Sequence, residues 1–124
     1  MLAHGIDIVE VARIADMLNR HGERFLERCF TPDEVRQSAG RRRRHEHLAA
    51  RFAAKEAAMK ALGTGWSAAV AWTDIEVAAE PSGRPTLRLH RGAADLADRL
   101  GLHRWALSLS HTDSLAIASV IASE

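Results

Sequence analysis

The sequence predicts an α+β fold, a mostly antiparallel sheet packed with one long helix and several shorter ones. Three observations carry this: apolar residues recur at helical spacing through most of the first half, they alternate with polar ones through most of the second, and a short apolar strand precedes the first helix. The 124 residues suit one domain, 1–124, with a single core.

Ala3 to Val9 is predicted as a short buried strand. Glu10 to Arg20 follows as a helix, with Val11, Ile14, Met17 and Leu18 on one side, and His21-Gly22 breaks it. Glu23 to Phe30 is a short amphipathic piece presenting Phe25, Leu26 and Cys29 on one side and Arg24 and Arg28 on another. Thr31-Pro32-Asp33-Glu34 is a helix start, with Thr31 as N-cap, proline in the first turn and Glu34 in the capping-box position; Gly40 ends that segment. After the tetra-arginine run Arg41 to Arg44, a long helix is expected from about Glu46 to Leu62, stopped by Gly63.

In the second half, Asp74 to Ala79 and Pro85 to His90 are predicted strands joined by a turn at Pro81-Ser82-Gly83. Gly92 to Leu100 is a short alanine-rich helix ending at Gly101. Arg104 to Ser110 places Trp105, Leu107 and Leu109 on one face of a strand, and His111 to Ser114 is the connecting loop. Leu115 to Ala122 is apolar on both faces, as expected of a strand covered on each side.

Seventeen Lys+Arg against sixteen Asp+Glu leave a net charge of +1, so no global field argues for nucleic acid or a membrane surface. No apolar run reaches the roughly 18 residues of a membrane span. The opening Met1-Leu2-Ala3-His4-Gly5-Ile6-Asp7 lacks the marks of a signal peptide. The single cysteine, Cys29, cannot form an internal disulfide, and a cytoplasmic location is expected. A chain this short has difficulty enclosing a large cofactor, which favours a site shared between subunits.

Of the seventeen basic residues only two are lysine, and these, Lys55 and Lys60, both lie on the long helix. Lysine carries a compact ammonium able to lose its proton, which a guanidinium does not. At 100° per residue from Leu48, Phe52, Met59 and Leu62 fall within about 40° and Lys55 falls inside their stripe, while Glu56 and Lys60 lie near its edge at about 80° and 120°. Taken alone, Glu56 and Lys60 make an i,i+4 ion pair worth a few tenths of a kcal/mol. Gly63-Thr64-Gly65 is either a glycine helix stop or a phosphate cradle of exposed N–H groups beside Lys60, without the residue order of a P-loop. Asp7, set between Ile6 and Ile8, is an expensive unpaired carboxylate unless it meets a cation, a donor or a metal. With Glu56 it would make a two-carboxylate Mg²⁺ site; alone, it reads as a cap for the helix that follows.

Four ordered motifs then resemble one family: Gly5-Ile6-Asp7-Ile8-Val9-Glu10-Val11-Ala12-Arg13-Ile14, Phe30-Thr31-Pro32-Asp33-Glu34, the run Arg51 to Gly65 containing Lys55-Glu56-Ala57-Ala58-Met59-Lys60, and Ser108-Leu109-Ser110-His111-Thr112. Together they span nearly the whole chain and resemble the holo-acyl-carrier-protein synthases, small members of the 4'-phosphopantetheinyl transferases. Val9 stands where larger members carry a second acid, and Ala3 where the family commonly has a first glycine. The resemblance implies the family's trimer-forming fold, and transfer of phosphopantetheine from coenzyme A to a serine of apo acyl carrier protein, for fatty acid biosynthesis, releasing adenosine 3',5'-bisphosphate. It also implies Mg²⁺ and a homotrimer with active sites between subunits.

Carried over by the resemblance, Asp7 and Glu56 are expected to hold the metal, and Lys60 to bind phosphate and assist the leaving group. Lys55, Arg51, Gly63, Gly65, His111 and Thr112 are expected beside coenzyme A. The serine proton has two candidate acceptors, Glu56 and a water on the metal. Arg13, Arg20, Arg24 and Arg28 are expected to dock the acidic carrier, Arg13 by its family position. Arg41 to Arg44 either attract coenzyme A's phosphates or simply solvate the long helix. A nucleic-acid-binding module is the competing reading, supported by that arginine run and by Trp66, Trp72 and Trp105, but no base-reading motif accompanies them. Asp113-Ser114-Leu115 spells the carrier's own acceptor tripeptide, yet it leads into a predicted strand rather than opening a helix.

Overall fold

The structure, a computed structural model, describes residues 1–64 and 69–124. Its centre is a three-stranded antiparallel sheet, β1 (Leu2–Glu10), β5 (Leu115–Ser123) and β4 (Arg104–His111), in the order β1-β5-β4. Asp7 lies opposite Ala118 in β5, and Ser119 opposite Ser108 in β4. Between β1 and β4 the chain forms α1 (Val11–His21), α2 (Glu23–Cys29), α3 (Pro32–Ser38), α4 (Arg44–Leu62), a 3₁₀ turn (Trp72–Asp74), the hairpin β2 (Ile75–Ala79) and β3 (Pro85–Leu89), and α5 (Arg91–Leu100).

Helix α4 organises the fold. It lies along the inner face of β1 and β5, with α1, α3 and β2 packed against its other sides. It is therefore buried nearly all round, Ala49, Ala53, Ala54, Ala57 and Ala58 as fully as Leu48, where a single buried stripe was expected. Small side chains make this approach possible. A Cβ on Gly5 would stand 1.8 Å from the Ala57 carbonyl oxygen, so only glycine lets β1 lie this close to the helix. Full burial of Leu48, Phe52 and Met59 contributes about 2 kcal/mol each. The helix begins at Arg44, two residues before its expected start.

At its C-terminus Gly63 takes the left-handed conformation (φ 77°). Its N–H donates to Lys60 O at 3.1 Å, and the Thr64 N–H donates to Met59 O at 3.2 Å. This Schellman closure uses both donors, so Gly63 and Thr64 end the helix and do not offer the free N–H groups of a phosphate cradle. Gly65 and Trp66 lie outside the described residues. The capping box of α3 forms as expected: Thr31 Oγ1 accepts from Glu34 N at 3.3 Å, and Glu34 Oε1 accepts from Thr31 N at 2.9 Å.

Two expectations are corrected by packing. Strand β5 is covered on one side only: Ala116, Ala118, Val120 and Ala122 face α4 and are buried, whereas Leu115 and Ile121 point away. With Leu2, Ile6 and Ile8 of β1 they form an open apolar face, on which Ile6 and Ile8 are 51% and 59% exposed. His111 ends β4 instead of lying in the connecting loop, which is reduced to a turn at 112–114. Trp72 and Trp105 serve packing: Trp72 stacks on Phe52 (4.6 Å between centroids, 19°), and the Trp105 indole donates to Leu102 O at 3.0 Å. Among the described residues, no helix is long and apolar enough to cross a membrane.

Candidate active site

Strand β1 alternates, so Gly5, Asp7 and Val9 face inward. Because Gly5 seats the strand on α4, the next inward residue, Asp7, arrives beside Glu56 and Lys60, one turn apart on that helix. Lys60 Nζ donates to Asp7 Oδ1 at 3.0 Å and to Ile6 O at 2.9 Å, and stays about half exposed. Asp7 Oδ2 is buried and has no hydrogen-bond partner among the described residues while both carboxyls are ionised. Burial, then a shared hydrogen bond with Asp7 and its negative charge, push the Glu56 carboxyl up to about 7, against the pull of Arg13 and Lys60. Two oxygen donors with a deficit of positive charge suit a hard divalent cation that completes its shell with water and phosphate. Among the described residues, no cluster of three or more metal-ligating side chains competes with this pair.

Glu56 also borders a cavity of about 700 Å³ between α1, α2 and α4. Phe25, Phe52 and Trp72 line its apolar side, and Arg13, Arg24 and Arg28 its charged side, with the Arg13 guanidinium 5.6 Å from the Phe52 ring centre. A second cavity, of about 550 Å³, lies where the first half of α4 meets the β2–β3 hairpin and the end of β4. Arg41, Arg42, Arg43, His47, Arg51 and His111 line it. Burial, with the charges of Arg51 and Arg41, pushes His47 down to about 4, and burial likewise lowers Arg51. Arg51 Nε and His47 Nε2 are buried without hydrogen-bond partners among the described residues, as is Oε2 of Glu46, which also lines this cavity, so the arginines here stand beside one carboxylate.

A family model for the 4'-phosphopantetheinyl transferase superfamily matches residues 3–119. The chain belongs to this superfamily. Within it, the chain is 54% identical to the holo-[acyl-carrier-protein] synthase of Koribacter versatilis over 121 residues, 98% of this chain and 97% of that one. The crystal structure of the synthase from Neisseria meningitidis superposes with a TM-score of 0.90 at 32% identity, covering 98% of each chain. That of the Helicobacter pylori synthase in complex with coenzyme A superposes at 0.85, also with 32% identity, covering 97% of this chain and 99% of that one. The chain is thus a holo-acyl-carrier-protein synthase by family and a transferase by class, and none of these relatives supports the nucleic-acid-binding alternative.

In this transferase the structure brings Asp7, Glu56 and Lys60 together, and gathers Arg13, Arg24 and Arg28 around the neighbouring cavity. Arg20 is turned away, its Nε donating to Asp16 Oδ1 at 3.1 Å on exposed α1. Arg51 and His111 meet in the second cavity, outside the wall that Glu56 lines. Thr112 shapes the β4–β5 turn, its Oγ1 accepting from Ser114 N at 3.2 Å and Leu115 N at 3.0 Å. Ser114 lies in that turn and opens no helix, in keeping with its place before a strand. Lys55 is not brought to the carboxylates: it is fully buried against Glu34. Sequence reasoning missed His47 and the Phe52–Trp72 wall. The adjacent arginines were a signal for the first, but nothing local joins Phe52 to a tryptophan twenty positions on.

Proposed function

We propose that this synthase moves the 4'-phosphopantetheine group from coenzyme A to a serine of an apo acyl carrier protein, releases adenosine 3',5'-bisphosphate, and requires Mg²⁺ held by Asp7 and Glu56. The observation that carries the proposal is a buried Asp7 Oδ2 that no donor among the described residues reaches while both acids are ionised, beside a Glu56 carboxyl pushed up to about 7, with the Lys60 ammonium attached to the same aspartate. Mg²⁺ at this pair would neutralise the pyrophosphate of coenzyme A. The solved Helicobacter pylori relative, a complex with coenzyme A, supports that donor.

Lys60 is half exposed and two of its three ammonium N–H bonds go to Ile6 O and Asp7 Oδ1, so the third can face the phosphate that becomes the leaving group, stabilising its charge or giving it a proton. Glu56, which borders the cavity beside Asp7, is the chain's own candidate for receiving the serine proton, through the carboxylate oxygen that faces the cavity side of the metal pair. Arg13, Arg24 and Arg28 offer an acidic carrier three cations around the cavity that Glu56 borders.

The phosphate-rich end of coenzyme A suits the second cavity, where Arg51, His111 and neighbouring arginines converge and two buried nitrogens lack partners among the described residues. Since that cavity and Glu56 do not share a wall within one chain, a site assembled between subunits of a homotrimer accounts for both. The open apolar face of β1 and β5 is a surface suited to such assembly. The test is to mix enzyme, coenzyme A, Mg²⁺ and apo carrier protein and to weigh the carrier. We expect the mass of one phosphopantetheine at catalytic enzyme levels, abolished by chelator; no gain, or a gain unaffected by chelator, rejects the proposal.

A further inference from the structure

Lys55 stands next to Glu56 in the sequence and was expected beside coenzyme A, but its surroundings give it another task. An ammonium has three N–H bonds. Lys55 Nζ has three acceptors inside the protein: Glu34 Oε1 at 2.7 Å, Ile75 O at 2.5 Å and Trp72 O at 3.2 Å. With the side chain fully buried as well, neither a donor nor access is left for a phosphate. Glu34 is equally closed. Its Oε1 also accepts from Thr31 N at 2.9 Å, and its Oε2 from Val77 N at 2.9 Å.

These bonds join α3, the 3₁₀ turn and β2 to one point on α4. Two consequences reach the candidate active site. Lys55 and Glu56 leave the helix about 100° apart, so pinning Lys55 into the core sets the direction in which Glu56 emerges, toward Asp7 and the cavity. Trp72, whose carbonyl Lys55 holds, stacks on Phe52, and both rings line the cavity that Glu56 borders.

We propose that Glu34 and Lys55 are positioning residues for the transfer reaction: the buried pair fixes the rotation of α4 and the Phe52–Trp72 wall, and so holds Glu56 in its working orientation without touching substrate. This rests on the role of Glu56 proposed above. Buried ion pairs are commonly replaceable by neutral residues of similar volume without loss of folding, so removing both charges separates positioning from stability.

The experiment compares wild type, Glu34→Gln, which keeps an oxygen for Lys55, and the double variant Glu34→Gln/Lys55→Met. Transfer kinetics are measured with coenzyme A and apo carrier, alongside thermal unfolding and the near-UV circular dichroism of the tryptophans. In whichever variant unfolds cooperatively we expect kcat to fall about 10-fold or more, KM for coenzyme A to stay within about twofold, and the near-UV signal to weaken. A folded variant with wild-type kcat overturns the proposal, because the pair then serves stability alone. A raised KM for coenzyme A at unchanged kcat also overturns it, by making Lys55 a substrate contact, and so does failure of both variants to fold. Wild-type transfer in the same assay distinguishes these outcomes from failure of the function itself.

Discussion

Lys60 and Asp7, 53 positions apart in sequence, meet at 3.0 Å, and the bond engages only one of the two aspartate oxygens. The other, Oδ2, is buried beside Glu56 with no donor among the described residues. An incompletely satisfied carboxylate costs stability, and a fold that keeps one beside a second acid is arranged to receive positive charge.

Replacing Glu56 by Gln should leave the fold intact and lower Mg²⁺-dependent transfer by about 100-fold or more, and Asp7→Asn should act alike. The stability of the metal-free protein should also report the pair. The Glu56 carboxyl moves from 4.5 in the unfolded chain to about 7 in the folded one, so the folded state holds its proton more tightly. Its contribution is complete below pH 4.5 and is lost as pH rises to about 7. Mg²⁺ should therefore raise Tm more at pH 8 than at pH 5, and Glu56→Gln should remove that difference. Equal Mg²⁺ effects at the two pH values in wild type would remove the pair from metal binding.

His47 gives a dependence of the opposite sign. Its folded value, about 4, lies below the 6.5 of a histidine in the unfolded chain, so its contribution to stability is complete above pH 6.5 and is lost as pH falls to about 4. His47→Gln should flatten the Tm profile in that window, as measured by thermal melts at constant ionic strength.

The arginines of α1 and α2 should separate by position. Arg24→Glu and Arg28→Glu, at the cavity, should raise KM for the carrier about tenfold and flatten its salt dependence, with little change in KM for coenzyme A. Arg20→Glu, at a side chain already paired with Asp16 away from the cavity, should change KM for the carrier less than about twofold. Steady-state kinetics against carrier concentration at two salt levels measure both.

The open sheet face should carry self-association. An aspartate in place of Ile8 or Ile121, both well exposed in one chain, should shift the protein toward monomers in sedimentation and lower transfer in parallel, while secondary structure is retained. An unchanged sedimentation coefficient would exclude this face from the assembly.

Much of this protein is determined locally and is legible in its sequence. Apolar spacing and glycine and proline punctuation place nearly every element within a residue or two, because they act over one turn of helix or one pleat of strand. Residue chemistry in the four motifs also indicates the family, the Asp7–Glu56 pair and Lys60. The tertiary structure decided which of those motif residues meet. Lys55 and Glu56 are neighbours in sequence, yet the 100° between them sends one to Glu34 in the core and the other to Asp7 at the cavity. Gly63, legible as the stop of the long helix, has its N–H used in that role, and Arg51 and His47 joined a cavity built by strands far along the chain. Strand β5, apolar on both faces, concealed an open side, since a sequence records how apolar a face is but not whether its own chain covers it. Pairings of this kind depend on contacts between distant segments, and those exist only once β1 has settled on α4 at Gly5.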